Sequence, residues 1–178
     1  MASVFGHAVA AFGLGKIFTK KVMNRKVFTL GIISSMLPDL DVIAFSFDIS
    51  WDSMWSHRGF THSIFSAMIW SIILLLIFHR KDQNKPKLMV GSYYFLATIS
   101  HGILDAMTNG GNGIAFFAPF SVERYFLPWE IIQVSPLGVR NFFSKWGMEV
   151  LQSEFIAIGL PSLAMVLFGT WLNKKVYP

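Results

Sequence analysis

A chain of 178 residues is long enough for one domain, which we assign to residues 1–178. Hydrophobic residues make up 53% of it and charged residues 14%, well below the roughly 25% charged residues of a soluble domain, so an ordinary water-soluble fold is excluded. The absence of cysteine excludes a disulfide framework and a thiolate metal site, so any metal must be bound by nitrogen and oxygen.

Five apolar segments follow one another along the chain and predict an all-α fold, a polytopic transmembrane bundle of four to five membrane helices. They cover residues 2–18, 27–37, 60–78, 88–107 and 155–172. Segments 60–78 and 155–172 come closest to the roughly 20 apolar residues that a span needs. Segment 27–37 is short and stops at Pro38. The first segment lacks the order of a signal peptide, because its basic residues follow the apolar run; it either spans the membrane or lies along the interface.

Three clusters of basic residues separate these segments and set the expected orientation. They comprise Lys16, Lys20, Lys21, Arg25 and Lys26; Arg80, Lys81, Lys85 and Lys87; and Lys174 with Lys175. Such clusters are typical of cytoplasmic loops, so the net charge of +5 indicates membrane topology and not nucleic-acid binding. Segments 38–56 and 108–152 then lie outside, and the second is expected to form an ordered extracytoplasmic loop cap.

His101 and Asp105 give the strongest chemical signal, because residues four apart on a helix share one face and can bind one ion. A hydrogen-bonded polar pair is the ordinary alternative, but ionisable groups in an apolar membrane segment are costly and are therefore functional candidates. Asp39 and Asp41 follow Pro38 and could converge on a cation if the backbone turns. Helix capping by Asp39 is the alternative for that pair.

A third motif, His57-Arg58-Gly59-Phe60-Thr61-His62-Ser63, stands at the outer start of the third helix. Both histidines can face one site, and Arg58 would suit an anionic phosphate oxygen; contact with lipid headgroups is the alternative. His7 is a weaker candidate, included because of its predicted outer position. His79 is expected at the cytoplasmic interface, outside the site.

The candidate ligands converge on one side of the predicted bundle. They are His7, Asp39, Asp41, His57, His62, His101 and Asp105. This set exceeds what one tetrahedral zinc needs, so one or two divalent ions are expected, with zinc as the first choice and manganese as the alternative.

Taken in order, the motifs resemble the YdjM-like family of membrane-bound metal-dependent hydrolases. They are Pro38-Asp39-Leu40-Asp41, the His57–Ser63 motif, His101 with Asp105, Arg124-Tyr125-Phe126-Leu127-Pro128-Trp129 and Ser135-Pro136-Leu137-Gly138. The resemblance implies a multi-pass inner-membrane hydrolase. The family is in turn distantly similar to zinc-dependent phospholipase C and P1 nuclease, whose pattern implies metal ligation by His7, Asp39 or Asp41, His57 or His62, His101 and a bridging Asp105. In zinc-dependent phospholipase C and P1 nuclease, further histidine ligands follow the histidine–aspartate pair, whereas this chain has no histidine after His101. Glu149 or Glu154 could supply one carboxylate ligand in this later part of the chain; the alternative is that either is a charge at a helix N-terminus.

The expected function is hydrolysis of a phosphoester bond in a lipid or lipid-linked substrate, with the active site on the extracytoplasmic side of the membrane. Asp39, Asp41, Arg58 and Arg124 are the catalytic candidates: the carboxylates hold the ions and the arginines bind the phosphate. A metal or proton transporter is one alternative, and a noncatalytic membrane protein stapled by metal is another.

Overall fold

The computed structural model describes residues 1–82, 86–136 and 138–176, and the regular elements in these ranges are helices. Strand-like pairing there is confined to two isolated bridges, Thr108 with Ile132 and Ile114 with Tyr125. The predicted all-helical class is therefore confirmed for these ranges. Lys85 of the second basic cluster and Leu137 of the last motif lie outside the described residues.

The helices run in chain order as follows: α1 Val4–Ile17, α2 Arg25–Met36, a 3₁₀ helix Leu37–Phe47, a 3₁₀ turn Phe60–His62, α3 Ile64–Phe78, α4 Lys87–Ala106, α5 Val139–Phe142, α6 Lys145–Glu154, a π-helical turn Phe155–Gly159 and α7 Leu160–Val176. Side chains of Ser3, Asn24 and Ser63 accept hydrogen bonds from backbone N–H groups and fix the starts of α1, α2 and α3.

Within the described ranges, two helical segments are long and apolar enough to cross a membrane, Arg25–Phe47 with 23 residues and Lys145–Lys175 with 31. The α-helical part of the first segment ends at Met36, next to the predicted stop at Pro38, but the segment continues as a 3₁₀ helix to Phe47 and is longer than predicted. Proline is tolerated in the first turn of a helix, so the chain continues from α2 directly into the 3₁₀ helix. By contrast, α3 has only 15 residues, because Phe60–His62 forms a separate 3₁₀ turn and Ser63 caps the helix that follows.

The core of the bundle is built around α1 and α4. Helix α1 packs against α2, α4 and α7, and α4 also packs against α2 and α3. Small residues allow the closest approaches: a Cβ atom on Gly169 would lie 2.0 Å from the Lys16 carbonyl oxygen, and one on Gly13 would lie 2.9 Å from Ser162 Cβ. Apolar side chains such as Leu76 and Leu167 point outward from α3 and α7.

The basic clusters meet at one end of this bundle. The backbone N–H of Lys20 donates to Asn173 Oδ1 at 3.0 Å, and Lys26 Nζ donates to the Phe78 carbonyl oxygen. His79 lies at the same end but is only 1% exposed, which corrects its assignment to the interface. Its Nδ1 donates to Asp82 Oδ2 at 2.9 Å, and its Nε2 accepts from the Tyr94 hydroxyl at 2.8 Å.

The chain after α4 packs on the opposite end of the bundle. Leu127 N–H donates to the Ala106 carbonyl and Ile132 N–H to the Met107 carbonyl, while Ile114 and Ile132 are fully buried. The prediction of one loop over 108–152 is wrong in its last part, where α5 and α6 form. Helix α6 buries Gly147, Val150 and Glu154, which lie on one helical face. Because glycine and glutamate are not apolar, this face does not form a hydrophobic stripe that would reveal the helix in the sequence.

Candidate metal centre

The His57–Ser63 motif is a tight loop whose shape depends on Gly59. A Cβ atom at Gly59 would lie 2.2 Å from the Met54 carbonyl oxygen, and the preceding Arg58 adopts a left-handed φ of 66°. The loop is tied to the segment after α4, since Ala115 N–H donates to the Arg58 carbonyl at 3.1 Å. The backbone thereby directs His57, Arg58 and His62 inward, where all three are buried.

Helix α4 supplies His101 and Asp105 from one face, and both are completely buried. His101 Nδ1 donates to the Ser35 carbonyl oxygen at 2.7 Å, so the Nε2 atom presents its lone pair to the interior of the site. Asp105 Oδ1 accepts from the backbone N–H of Ala2 at 2.6 Å. The ends of α1, α2 and α4 therefore meet at this point.

Four buried side chains from three parts of the chain bring one ligand atom each within 4.8 Å of one another: Asp39, His62, His101 and Asp105, here called the primary cluster. His101 Nε2 lies 3.3 Å from Asp39 Oδ1, and His62 Nε2 lies 3.7 Å from Asp105 Oδ2. His7 joins from α1. Its ring stacks on His101 with centroids 3.7 Å apart, and its Nε2 lies 3.4 Å from Asp105 Oδ1.

Several atoms of the primary cluster and of the adjacent His7 have no hydrogen-bond partner among the described residues. They are both ring nitrogens of His7, both carboxylate oxygens of Asp39 and Oδ2 of Asp105. Buried polar atoms are nearly always paired, because leaving one unpaired costs a few kcal/mol. Five such atoms gathered in one place, all nitrogen or carboxylate oxygen, fit the ligand set of a divalent transition ion.

The two facing histidines give a second indication of a cation. His62 Nδ1 lies 3.1 Å from Asp41 Oδ2, an arrangement in which Nδ1 carries the proton and Nε2 keeps its lone pair. His62 Nε2 and His101 Nε2 are 3.0 Å apart. Two imidazole lone pairs that point at each other repel unless a proton or a metal ion lies between or beside them. The donor set of histidine nitrogens and carboxylate oxygens is one that could hold a divalent metal ion.

A second group, here called the outer cluster, consists of Asp41, His57 and His62, so the two clusters share His62. Asp41 Oδ1 accepts from His57 Nδ1 at 2.6 Å, and Oδ2 accepts from the Arg58 backbone N–H at 3.2 Å. Oδ2 also accepts from the Thr61 hydroxyl and faces His62 Nδ1. Asp41 is thus paired on both oxygens, in contrast to Asp39.

Both arginine candidates donate hydrogen bonds to other groups of the protein. Arg58 is 1% exposed: its guanidinium donates to the Gly110 carbonyl at 2.8 Å and to Thr108 Oγ1 at 2.9 Å, and Nε lies 3.4 Å from Asp105 Oδ2. Arg124 is half-buried and donates to the His57 carbonyl at 3.1 Å and to Ser56 Oγ at 2.6 Å. Burial, followed by the positive charge of Arg58, lowers the pKa of the Arg124 guanidinium.

Glu154 lies at the same end of the bundle, whereas Glu149 is exposed. Glu154 accepts from the Ser3 hydroxyl at 2.6 Å and from the Ser3 backbone N–H, so it fixes the start of α1 and with it the position of His7. The π-helical turn begins directly after Glu154. Ser35 and Thr108 also contact the site and were not identified from the sequence, since isolated hydroxyl residues carry no distinctive spacing.

All of these positions fall within one family match, in which residues 1–176 align with the description "YdjM inner membrane protein". The chain belongs to the YdjM inner membrane protein family. Inner membrane protein YbcI of Escherichia coli (strain K12) is 32% identical over 176 residues, which cover 98% of this chain and 100% of YbcI. No solved structure matches this chain.

Membership in the YdjM family confirms the resemblance that the motifs suggested. It also supports a location in the inner membrane, because both descriptions contain that term. Neither description names an activity, a metal or a substrate. The hydrolytic part of the resemblance, and the similarity to phospholipase C and P1 nuclease, therefore stay predictions.

Proposed function

We propose that this YdjM family member is a membrane-bound metal-dependent hydrolase that cleaves a phosphoester bond in a lipid or lipid-linked substrate. The observation that carries the proposal is the set of buried ligand atoms without a hydrogen bond on His7, Asp39 and Asp105, joined by the facing Nε2 atoms of His62 and His101. Ion-pair contacts such as that of Arg58 Nε with Asp105 Oδ2 at 3.4 Å balance part of the charge, but they leave these atoms without the hydrogen bonds that buried polar atoms usually make.

His7, Asp39, His62, His101 and Asp105 are the residues that would hold the ion. A divalent ion bound there supplies Lewis acidity toward a phosphoryl oxygen and activates water at neutral pH. The protein provides the orientation of the ligands: the Ser35 carbonyl fixes the tautomer of His101, and Asp41 fixes that of His62. Arg58 offsets the negative charge of Asp105 in the buried site.

Asp41 and His57 support His62 in this account and do not bind the ion directly. Both oxygens of Asp41 already accept hydrogen bonds, so a second ion in the outer cluster would have to displace protons from those bonds. One ion per chain is therefore favoured over two. Arg124 is less deeply buried than Arg58, and we assign phosphate binding to Arg124.

For the membrane arrangement we propose a multi-pass bundle of four to five spans, with the site and the ordered loop cap on the extracytoplasmic side. The support is the separation of charge along the bundle. Lys20 and Lys26 lie at one end, where they contact Asn173 and the Phe78 carbonyl, and the ligand residues lie at the other end. The positive-inside rule then makes the basic end cytoplasmic.

A noncatalytic metal staple is the second candidate, because the primary cluster joins the ends of α2 and α4 to the loop before α3. A transporter is less well supported, since its ligand groups would be spread through the depth of the bilayer and these lie at one end.

The test is hydrolysis by the purified, metal-loaded protein of phospholipid vesicles that contain phosphatidylglycerol and phosphatidic acid, with release of phosphate or headgroup as the readout. We expect turnover that Asp105→Asn abolishes and that Asp48→Asn preserves, since Asp48 is exposed and outside both clusters. Metal binding without turnover of either lipid would instead support the staple.

A further inference from the structure

A large apolar cavity opens beside the primary cluster, with a volume of about 700 Å³. Val4 and Phe5 of α1, Ile33 and Met36 of α2, Val42 of the 3₁₀ helix and Phe142 of α5 contribute to its walls. The volume lies within the range of roughly 300–1,000 Å³ that is usual for small-molecule sites. The cavity is therefore large enough for a ligand.

Asp39 connects this cavity to the candidate metal centre, because it belongs to the primary cluster and also lines the cavity. Among the described residues that line the cavity, Asp39 is the one whose side chain is ionisable. The hydroxyls of Ser3 and Ser135, which also line it, are already engaged: Ser3 donates to Glu154 and Ser135 to the Pro136 carbonyl. Among the described lining residues a ligand would thus meet mainly apolar side chains, with the Asp39 carboxylate next to the metal centre.

The rim of the cavity is apolar and open to the outside. Phe5 is 61% exposed, Leu40 67% and Phe143 82%, and all three line it. In an inner membrane protein such side chains are expected to face the hydrocarbon of the bilayer, so a hydrocarbon chain could enter without crossing water. A peptide is a poor fit, because its backbone N–H and C=O groups would find almost no partners in this cavity.

We propose that the cavity binds one acyl chain of a membrane phospholipid and thereby places the phosphate of the same lipid at the metal centre. The inference rests on the proposed function and specifies its substrate class: a phospholipid with an acyl chain long enough to fill the space between α1, α2 and α5. The surface of α7 is also apolar, but no residue of α7 lines this cavity, so the proposal does not extend to that surface.

Photocrosslinking tests chain binding independently of catalysis. The probe is phosphatidylglycerol with a diazirine near the end of one acyl chain, and the protein is the full chain in detergent micelles. We expect saturable labelling of peptides that contain 33–42 and 142–143, with competition by unlabelled phosphatidylglycerol. Labelling of α7 peptides should not saturate, because it reports ordinary contact with surrounding lipid.

In Val42→Trp the indole ring should occupy part of the cavity and lower the saturable labelling by about tenfold, because less space is left for the acyl chain. Ile43→Trp is the matched control, since Ile43 is the next residue, is 62% exposed and does not line the cavity. Ile33→Trp narrows the same cavity from α2 and replaces Val42→Trp if that variant fails to fold. Native metal content in each variant verifies that Asp39 has kept its place.

The outcomes separate this inference from the proposed function. Saturable labelling of the cavity peptides without any lipid hydrolysis would retain the acyl-chain site and reject the hydrolase. Hydrolysis with unsaturable labelling, equal in Val42→Trp and Ile43→Trp, would retain the hydrolase and overturn the acyl-chain site.

Discussion

Asp39 and Asp41 are two residues apart in the same 3₁₀ helix, yet their surroundings differ completely. Both oxygens of Asp39 are buried without a hydrogen-bond partner, whereas both oxygens of Asp41 accept hydrogen bonds. A 3₁₀ helix has three residues per turn, so positions i and i+2 point to different sides. One carboxylate therefore faces the primary cluster, and the other faces His57 and Thr61.

This difference predicts different effects of the two asparagine substitutions. Asp39→Asn should abolish binding of zinc at micromolar concentration, because it removes a ligand. Asp41→Asn should weaken binding about 10- to 100-fold and leave the stoichiometry at saturation unchanged, as is usual for a group that orients a ligand. Competition with a fluorescent zinc chelator measures both affinities, and Asp48→Asn serves as the exposed control. Loss of one ion of two in Asp41→Asn would identify Asp41 as a ligand.

The sequence analysis names all four residues of the primary cluster, because ionisable residues within or beside apolar membrane segments are costly and therefore conspicuous. The structure brings Asp39, His62, His101 and Asp105 together, and His7 lies beside them. Which of Asp39 and Asp41 faces the primary cluster could not be predicted, since the direction of each side chain depends on the continuation of α2 as a 3₁₀ helix past Pro38. The hydrogen bonds of Arg58 to Thr108 and Gly110 also required the fold, because they join residues about 50 positions apart.

At the scale of elements, α3 and α4 are joined at the basic end by His79 and Tyr94. Tyr94→Phe would leave His79 Nε2 buried without its hydroxyl donor and should reduce stability by roughly 1–3 kcal/mol. Thermal unfolding in detergent measures the loss, and metal content should stay native because His79 lies at the opposite end of α3 from His62. Tyr125→Phe is the control, since that hydroxyl bonds to exposed Glu123; equal stability of the two variants would contradict the prediction.

Helices α1 and α7 approach each other closely at Gly169. Gly169→Ala would place a Cβ atom 2.0 Å from the backbone oxygen of Lys16, so the helices must separate and stability should fall by about 1–3 kcal/mol. Gly159→Ala is a milder change in the same helical segment, because its nearest neighbour would be a Phe155 ring carbon at 3.3 Å. Thermal unfolding of both variants provides the comparison. An unchanged midpoint for Gly169→Ala would show that α1 and α7 are not packed in this way.

The apolar segments predict the positions of five helices within a few residues, because hydrophobic length is a strong signal. Segment 60–78 is predicted too long, since the sequence does not reveal that Ser63 caps α3 after a separate 3₁₀ turn. Helices α5 and α6 are missed for different reasons. Helix α5 has only four residues, and the buried positions of α6, such as Gly147 and Glu154, are recognisable only from their contacts with the rest of the bundle.

At the scale of the whole molecule, the separation of the basic end from the ligand end predicts the orientation in the membrane. The chain contains no cysteine, so single-cysteine variants report accessibility without background. A membrane-impermeant maleimide should label Glu130→Cys in intact cells, and should label Lys81→Cys only after permeabilisation. Both native side chains are exposed, which makes the two sites comparable. The reverse pattern would place the candidate metal centre on the cytoplasmic side.

The primary cluster is expected to hold a divalent ion, and elemental mass spectrometry of the purified protein measures that ion. The structure predicts one equivalent of zinc or manganese per chain in a preparation made without chelators, and its loss in the His101→Ala/Asp105→Ala variant. A folded protein from such a preparation that contains no divalent metal, and that binds none when zinc is added, would contradict the account.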